Sequence, residues 1–146
     1  MIGLLQRVSE ASVRIDGECV GTIGAGLLVL VGVQPQDSEA SAARLLDRLL
    51  AYRVFADDAG RMNRALRDTG GGLLLVPQFT LAADTRSGTR AGFSTAAAPA
   101  HAHALFVHLV ERARAAHADV ACGRFGADMK VSLVNDGPVT FWLEAR

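Results

Sequence analysis

The order of apolar patterns along this 146-residue chain predicts a mixed α/β fold, a largely antiparallel sheet or barrel with two main helices packed on it. Three observations carry the expectation. Several strand-like runs come first. A stretch of helical period follows near residue 38, and a second near residue 99. Apolar or β-branched runs return between and after those helices. The length suits one domain, 1–146, and half of the residues are hydrophobic, enough for one core. There is no internal repeat, linker or low-complexity tail.

Taken in order, residues 2–8 read as a buried strand. Ala11 to Ile15 alternates, Asp16-Gly17 is a hairpin signal, and Glu18 to Ile23 returns as a third strand. Gly24-Ala25-Gly26 is a turn. Leu27 to Val33 is continuously apolar, the pattern of a central strand buried on both faces. Ser38 then fits a helix N-cap, with Glu39 at the positive end of the dipole. Ala42, Leu45, Leu46, Leu49 and Leu50 form one apolar face, opposite Arg44, Asp47 and Arg48. Tyr52 to Phe55 reads as a short strand, Asp57-Asp58-Ala59-Gly60 as a turn, and residues 61–72 as loop. Leu73 to Val76 is another buried strand, running into Pro77-Gln78-Phe79-Thr80-Leu81 and a polar loop. The second helix starts near Pro99, a good first helical residue, and ends near His117. Its apolar face is Ala102, Leu105, Phe106, Leu109, Val110 and Ala113. Residues 120–127 connect it to two further strand-like runs, Met129 to Val134 and Val139 to Leu143.

Fifteen basic residues balance fifteen acidic ones, so no whole-protein field attracts nucleic acid, although a local patch remains open. Fourteen of the fifteen are Arg, which suits phosphate contact. A GC-rich genome produces the same bias. Cys19 and Cys122 are far apart and form no C-x-x-C, which points to free thiols in a reducing compartment. Neither a signal peptide nor a membrane-spanning run is evident, so the expected location is the cytoplasm.

Most short motifs fail on context. Gly24-Ala25-Gly26 precedes a strand, and a dinucleotide fingerprint needs a helix there. Gly70-Gly71-Gly72 lacks the lysine of a P-loop. His101, His103, His108 and His117 cluster near one helix, but no Cys or carboxylate completes a ligand set. No G-x-S-x-G elbow occurs. Two stretches remain. Pro77-Gln78-Phe79-Thr80 leaves a buried strand, where binding groups sit on a rigid base. Thr80 could serve as a nucleophile, but no base lies near it in sequence. At Gly137-Pro138, proline removes a backbone donor and pushes the preceding residue away from helical conformations. Two readings stand: a hairpin turn between two strands, or a stiff backbone probe held out from a sheet.

Pro77-Gln78-Phe79-Thr80-Leu81 and Asn135-Asp136-Gly137-Pro138-Val139-Thr140 together resemble the two signature motifs of the D-aminoacyl-tRNA deacylases, which read Ser-Gln-Phe-Thr-Leu and Asn-x-Gly-Pro-Val-Thr. The resemblance runs the length of the chain. It takes in Gln6-Arg7-Val8, Tyr52-Arg53-Val54-Phe55, Arg61-Met62-Asn63, Gly123-Arg124-Phe125 and Ala127-Asp128-Met129. It implies a homodimer with active sites at the interface. The substrate it implies is the ester between a D-amino acid, or glycine on tRNA(Ala), and the 3′ end of tRNA. It implies that Gly137-Pro138 is cis, enters the partner's site and excludes an L side chain, with Arg7, Phe125 and Met129 in support. Substrate contacts fall on Pro77, Gln78, Phe79, Thr80, Gly137 and Pro138. Neither cofactor, metal nor membrane is implied.

Thr80 matches a position offered in the family as a nucleophile. The other family description uses backbone N–H groups near Phe79 and Thr80, with the tRNA 2′-hydroxyl assisting water. The departure is Pro77, where the family usually has Ser. Proline there resembles a branch acting on L-alanyl-mischarged tRNA with a trans Gly-Pro step, but Arg7, Phe79 and the second motif follow the D-specific pattern. A non-catalytic nucleic-acid-binding dimer is the competing class.

Overall fold

The computed structural model describes residues 1–146. The longest shared element is β1 (Ile2–Ile15), because three strands pair with it, all antiparallel. Its C-terminal part pairs with β2 (Glu18–Ile23) and its N-terminal part with β3 (Gly26–Gly32). Between β1 and β2 the turn uses Asp16 (φ 50°) and Gly17 (φ 82°), the positive-φ pair of a tight hairpin. After β3 come α1 (Glu39–Ala51), β4 (Phe55–Ala56), β5 (Met62–Arg64), the short α2 (Leu66–Thr69) and β6 (Gly72–Pro77). A 3-10 turn, Phe79–Ala82, leads through a loop to α3 (Pro99–Ala116). The chain ends with β7 (Val120–Cys122) and β8 (Lys130–Glu144).

β3–β6 and β6–β7 are parallel, so the sheet is mixed, with antiparallel pairing concentrated on β1. It nearly closes on itself: a Cβ on Gly21 of β2 would stand 3.0 Å from the Cys122 carbonyl of β7. Leu28, Leu74 and Val76 point into this curl with Val8, Val13 and Ile23. The alternate residues Leu27, Val29, Leu73 and Leu75 face outward, under α1 and α3. Burial on both faces is why β3 and β6 are apolar throughout. α1 contributes Ala42, Leu45, Leu46 and Leu49, and α3 contributes the six apolar-face residues expected for it. Complete burial of one such Leu stabilises by roughly 1.5–3 kcal/mol. β3 and β6 approach so closely at Gly26 and Gly72 that a Cβ on Gly26 would lie 2.0 Å from the Gly72 carbonyl oxygen.

Several local expectations are corrected. Residues 2–15 form one strand, with a register shift near Ser9 where two were expected. Tyr52 to Val54 is not a strand; pairing starts at Phe55. The expected loop 61–72 contains β5 and α2, and the connection after α3 contains β7. At Gly137-Pro138 the structure rejects the hairpin alternative. The runs on either side do not turn back on one another. They continue in one direction as β8, antiparallel to β1 from Ile2↔Glu144 to Arg14↔Lys130. No helix is long and apolar enough to cross a membrane.

Candidate active site

Pro77 ends β6 because it brings no N–H to extend the ladder. The next N–H, of Gln78, donates to the Val31 carbonyl at 2.7 Å and holds the exit against β3. The chain then winds into the 3-10 turn, closed by Leu81 N–H to Gln78 O and Ala83 N–H to Thr80 O, both at 3.2 Å. The N–H groups of Phe79 and Thr80 open this turn and find no acceptor in the chain. Gln78 Nε2 donates to Thr80 Oγ1.

Beside this turn lies a cleft of about 430 Å³, at the ends of parallel strands where α/β sheets present ligand sites. Val76, Pro77, Gln78 and Phe79 form one wall; Ala97, Pro99 and Ala102 another; Phe125, Gly126, Ala127, Met129 and Val131 the third. None of these side chains titrates, and Gln78 is the only polar one. Met129 packs close because Gly123 leaves room: a Cβ there would be 2.7 Å from the sulfur. Phe125 stacks on His103, centroids 4.9 Å apart and planes within 7°. Phe79 meets Phe93 at 5.2 Å, and both rings are about half exposed. The loop carrying Phe93 is pinned by an Asp84–Gly92 bridge and by Thr95 Oγ1 donating to Ala82 O at 2.6 Å. Hydrogen bonds from the Arg86 guanidinium, and then from its backbone N–H, hold the Asp84 carboxyl down at about 2.

The second motif forms an outward excursion of β8. Gln6 pairs with Thr140 and Val8 with Asn135, so Arg7 alone faces four residues, Asp136 to Val139, that have no ladder partner. Asn135 closes the base of the excursion. Its Oδ1 accepts from Val139 N–H at 2.8 Å, and its Nδ2 donates to Thr140 Oγ1 at 2.8 Å. Arg7 grips the excursion from behind: Nε donates to Asp136 O at 2.8 Å and Nη1 to Val54 O at 2.6 Å. Gly137 has φ 142°, and a Cβ there would meet Val139 Cγ2 at 2.8 Å and Arg7 Nη2 at 3.0 Å. The Gly137-Pro138 bond is cis, and Asp136, Gly137 and Pro138 are exposed.

The structure therefore gathers Pro77, Gln78, Phe79, Phe125 and Met129 in one cleft, with Thr80 beside it but not lining it. Arg7, Gly137 and Pro138 form a second group that does not line that cleft. Sequence reasoning missed the Asn135 clamp, the Val54 carbonyl and the wall from Ala97 to Ala102. Asn135 could have been found, since Asn and Thr flanking an unpaired segment bond local backbone. The histidines are tied separately: His101 Nε2 lies 2.8 Å from Asp37 O and His117 Nε2 2.6 Å from Gly71 O. No group of three His, Cys, Asp or Glu side chains converges to hold a metal.

Comparison with known proteins places the whole chain. Residues 4–144 match the family model described as D-Tyr-tRNA(Tyr) deacylase. A D-aminoacyl-tRNA deacylase from Thioalkalivibrio sulfidiphilus is 69% identical over 144 residues, 99% of this chain and 97% of that protein. One from Alkalilimnicola ehrlichii is 64% identical over 146 residues, 100% of this chain and 97% of the relative. Among solved structures, a c-Myc DNA unwinding element binding protein superposes with TM-score 0.95 at 33% identity, covering 100% of this chain and 99% of that one. A probable eukaryotic D-amino acid tRNA deacylase superposes with TM-score 0.84 at 17% identity over 98% of both chains, a likeness of fold.

Proposed function

The chain belongs to the D-Tyr-tRNA(Tyr) deacylase family, and from that premise we propose how its two groups of residues hydrolyse the ester of a D-aminoacyl-tRNA. Water adds to the ester carbonyl, the bond to the terminal ribose oxygen breaks, and that oxygen takes up a proton. Free D-amino acid and tRNA leave.

The observation that carries the mechanism is the composition of the cleft. No acid, base or activated nucleophile lines it, while two free N–H groups, of Phe79 and Thr80, stand at its edge. Preorganised donors of this kind stabilise the charge that develops on a carbonyl oxygen. The ester carbonyl docks there, and the tRNA 2′-hydroxyl assists the water. Pro77 supplies only a ring wall where the family usually has a hydroxyl, so the positioning falls to Gln78 and the backbone.

Chirality is set by a second subunit. The excursion carries exposed Gly137 and Pro138, lies outside its own cleft, and is braced by Arg7 and Asn135. In a homodimer it enters the partner's cleft, where its backbone contacts the substrate amino group and leaves no room for an L side chain. Glycine, with no side chain, passes the same filter, so glycyl-tRNA(Ala) is a second substrate. The protein acts in the cytoplasm, where aminoacyl-tRNA is.

Incubation with D-tyrosyl-tRNA and L-tyrosyl-tRNA tests this. Loss of the D ester alone supports it. The DNA-linked structural relative makes a binding role the second reading: both esters kept, with shifted mobility of the RNA, would support that reading instead. Gly137→Ala drives a methyl into Val139 and Arg7 and should weaken the preference for D over L; an unchanged preference would argue against the filter.

A further inference from the structure

A second groove, of about 260 Å³, adjoins the cleft on the far side of Phe125, which lines both. Its walls are α3 and the segment after β7. Phe125 and His103 form one stacked step, and Arg114, Arg124, Glu111 and Cys122 stand around it. We propose that this groove carries the RNA strand leading away from the terminal ribose, with a base resting on the His103–Phe125 step and Arg114 and Arg124 meeting phosphates. The inference rests on the deacylase reading above and extends it from the ester to the RNA.

Three features point to RNA. First, the reaction requires a nucleic acid strand to leave the cleft, yet no charged side chain lines the cleft to meet a phosphate. The adjoining groove has two cations against one carboxylate, Glu111. Second, those cations are uncommitted. The Arg114 guanidinium contacts only Cys122 Sγ, at 3.6 Å, and Arg124 has no hydrogen-bond or ion-pair partner; both are exposed. By contrast, the Arg7 and Arg86 guanidiniums each donate two hydrogen bonds to their own chain. Third, His103 and Phe125 are stacked with nearly parallel planes at a boundary between cavities, leaving an outer flat ring face. Unstacked bases of single-stranded RNA are held on such aromatic faces, while arginines track the backbone without reading sequence.

The test compares two esters: D-tyrosyl-tRNA, which has a strand to place in the groove, and D-tyrosyl-adenosine, which ends at the nucleoside. The variants are the double substitution Arg114→Gln with Arg124→Gln, and separately His103→Ala. All three side chains are exposed, and thermal melts check that folding is intact. Each arginine should contribute roughly two- to fivefold to KM for D-tyrosyl-tRNA, with kcat unchanged. The salt dependence of that KM, as log against log, should lose a slope of about 0.7 per phosphate contact. His103→Ala should raise the same KM about fivefold or more. Hydrolysis of D-tyrosyl-adenosine should be unaffected by any of them. Equal losses on both esters, or no loss on D-tyrosyl-tRNA by an otherwise active enzyme, would overturn the inference alone. A wild-type protein inert on both esters would overturn the deacylase reading, and this inference with it.

Discussion

Replacing Arg7 tests whether the excursion at Gly137-Pro138 is held from behind. Its side chain is 17% exposed and reaches two carbonyls, Asp136 O at 2.8 Å and Val54 O at 2.6 Å. Hydrogen bonds from a charged donor contribute about 1.5–3 kcal/mol each, so the two together offer about 3–6 kcal/mol before side-chain ordering is subtracted. Arg7→Ala also leaves the carbonyl of buried Val54 without its donor. We expect a loss of about 2–4 kcal/mol in urea unfolding. Arg7→Lys keeps the charge, but its compact ammonium cannot reproduce the fork that spans both carbonyls, and about half that loss should remain. The functional consequence is larger than the stability change suggests. Losing one grip of 1.5–3 kcal/mol raises the population of released excursion by about one to two powers of ten. Single-turnover deacylation of D- and L-tyrosyl-tRNA should then show a D-over-L ratio reduced by about tenfold or more in Arg7→Lys, with a smaller change in the D rate. Wild-type stability together with a wild-type ratio would refute the reasoning.

Thr80→Ala should keep deacylation within about tenfold of wild type in single-turnover assays, because in the proposed mechanism the backbone N–H and not the hydroxyl is the working group; near-complete loss with binding intact would return Thr80 to the role of nucleophile. Gly26→Ala places a methyl 2.0 Å from a backbone carbonyl in the central sheet, and more than about 3 kcal/mol should be lost in chemical unfolding, or the fold with it. The Asp84 carboxyl titrates at about 2 in the folded chain against an ordinary 3.8, so its contribution to stability is complete above 3.8 and fades as pH falls toward 2. Arg86→Gln should return that titration toward 3.8 when followed by carbon NMR; an unmoved titration would show that Arg86 is not its cause.

Both long helices were legible because their apolar residues recur at helical spacing and their starts carry Ser38 and Pro99. β3 and β6 were legible as continuous apolar runs. The break expected inside β1 came from Ser9 and Glu10, exposed polar residues at a register shift, where the apolar alternation lapses although the strand continues. β5 and β7 are three residues each, too short for a period to declare itself. Of the two readings open at Gly137-Pro138, the hairpin failed for a different reason. Alternation on both sides of a Gly-Pro step has the same appearance whether the chain reverses or bulges, and only pairing with β1 decides. At the site, Pro77 to Thr80 and Gly137-Pro138 were found as motifs. That they lie apart within one chain was not legible, because separation in space depends on where β6 and β8 sit relative to β1.

In the proposed homodimer a second subunit bridges that separation, and subunit mixing tests the bridge most directly. One variant keeps its cleft but has Gly137-Pro138 replaced; the other keeps the excursion but has its cleft filled by Ala102→Trp. Each should be inactive on D-tyrosyl-tRNA alone, the first because the whole backbone contact to the substrate amino group is gone, the second because the substrate has no cleft to enter. After denaturation and refolding together in equal amounts, half the dimers are mixed and each carries one intact site, so activity should recover to roughly a quarter of wild type. No recovery, with mixed dimers shown to form by mass spectrometry, would mean that cleft and excursion do not meet across subunits.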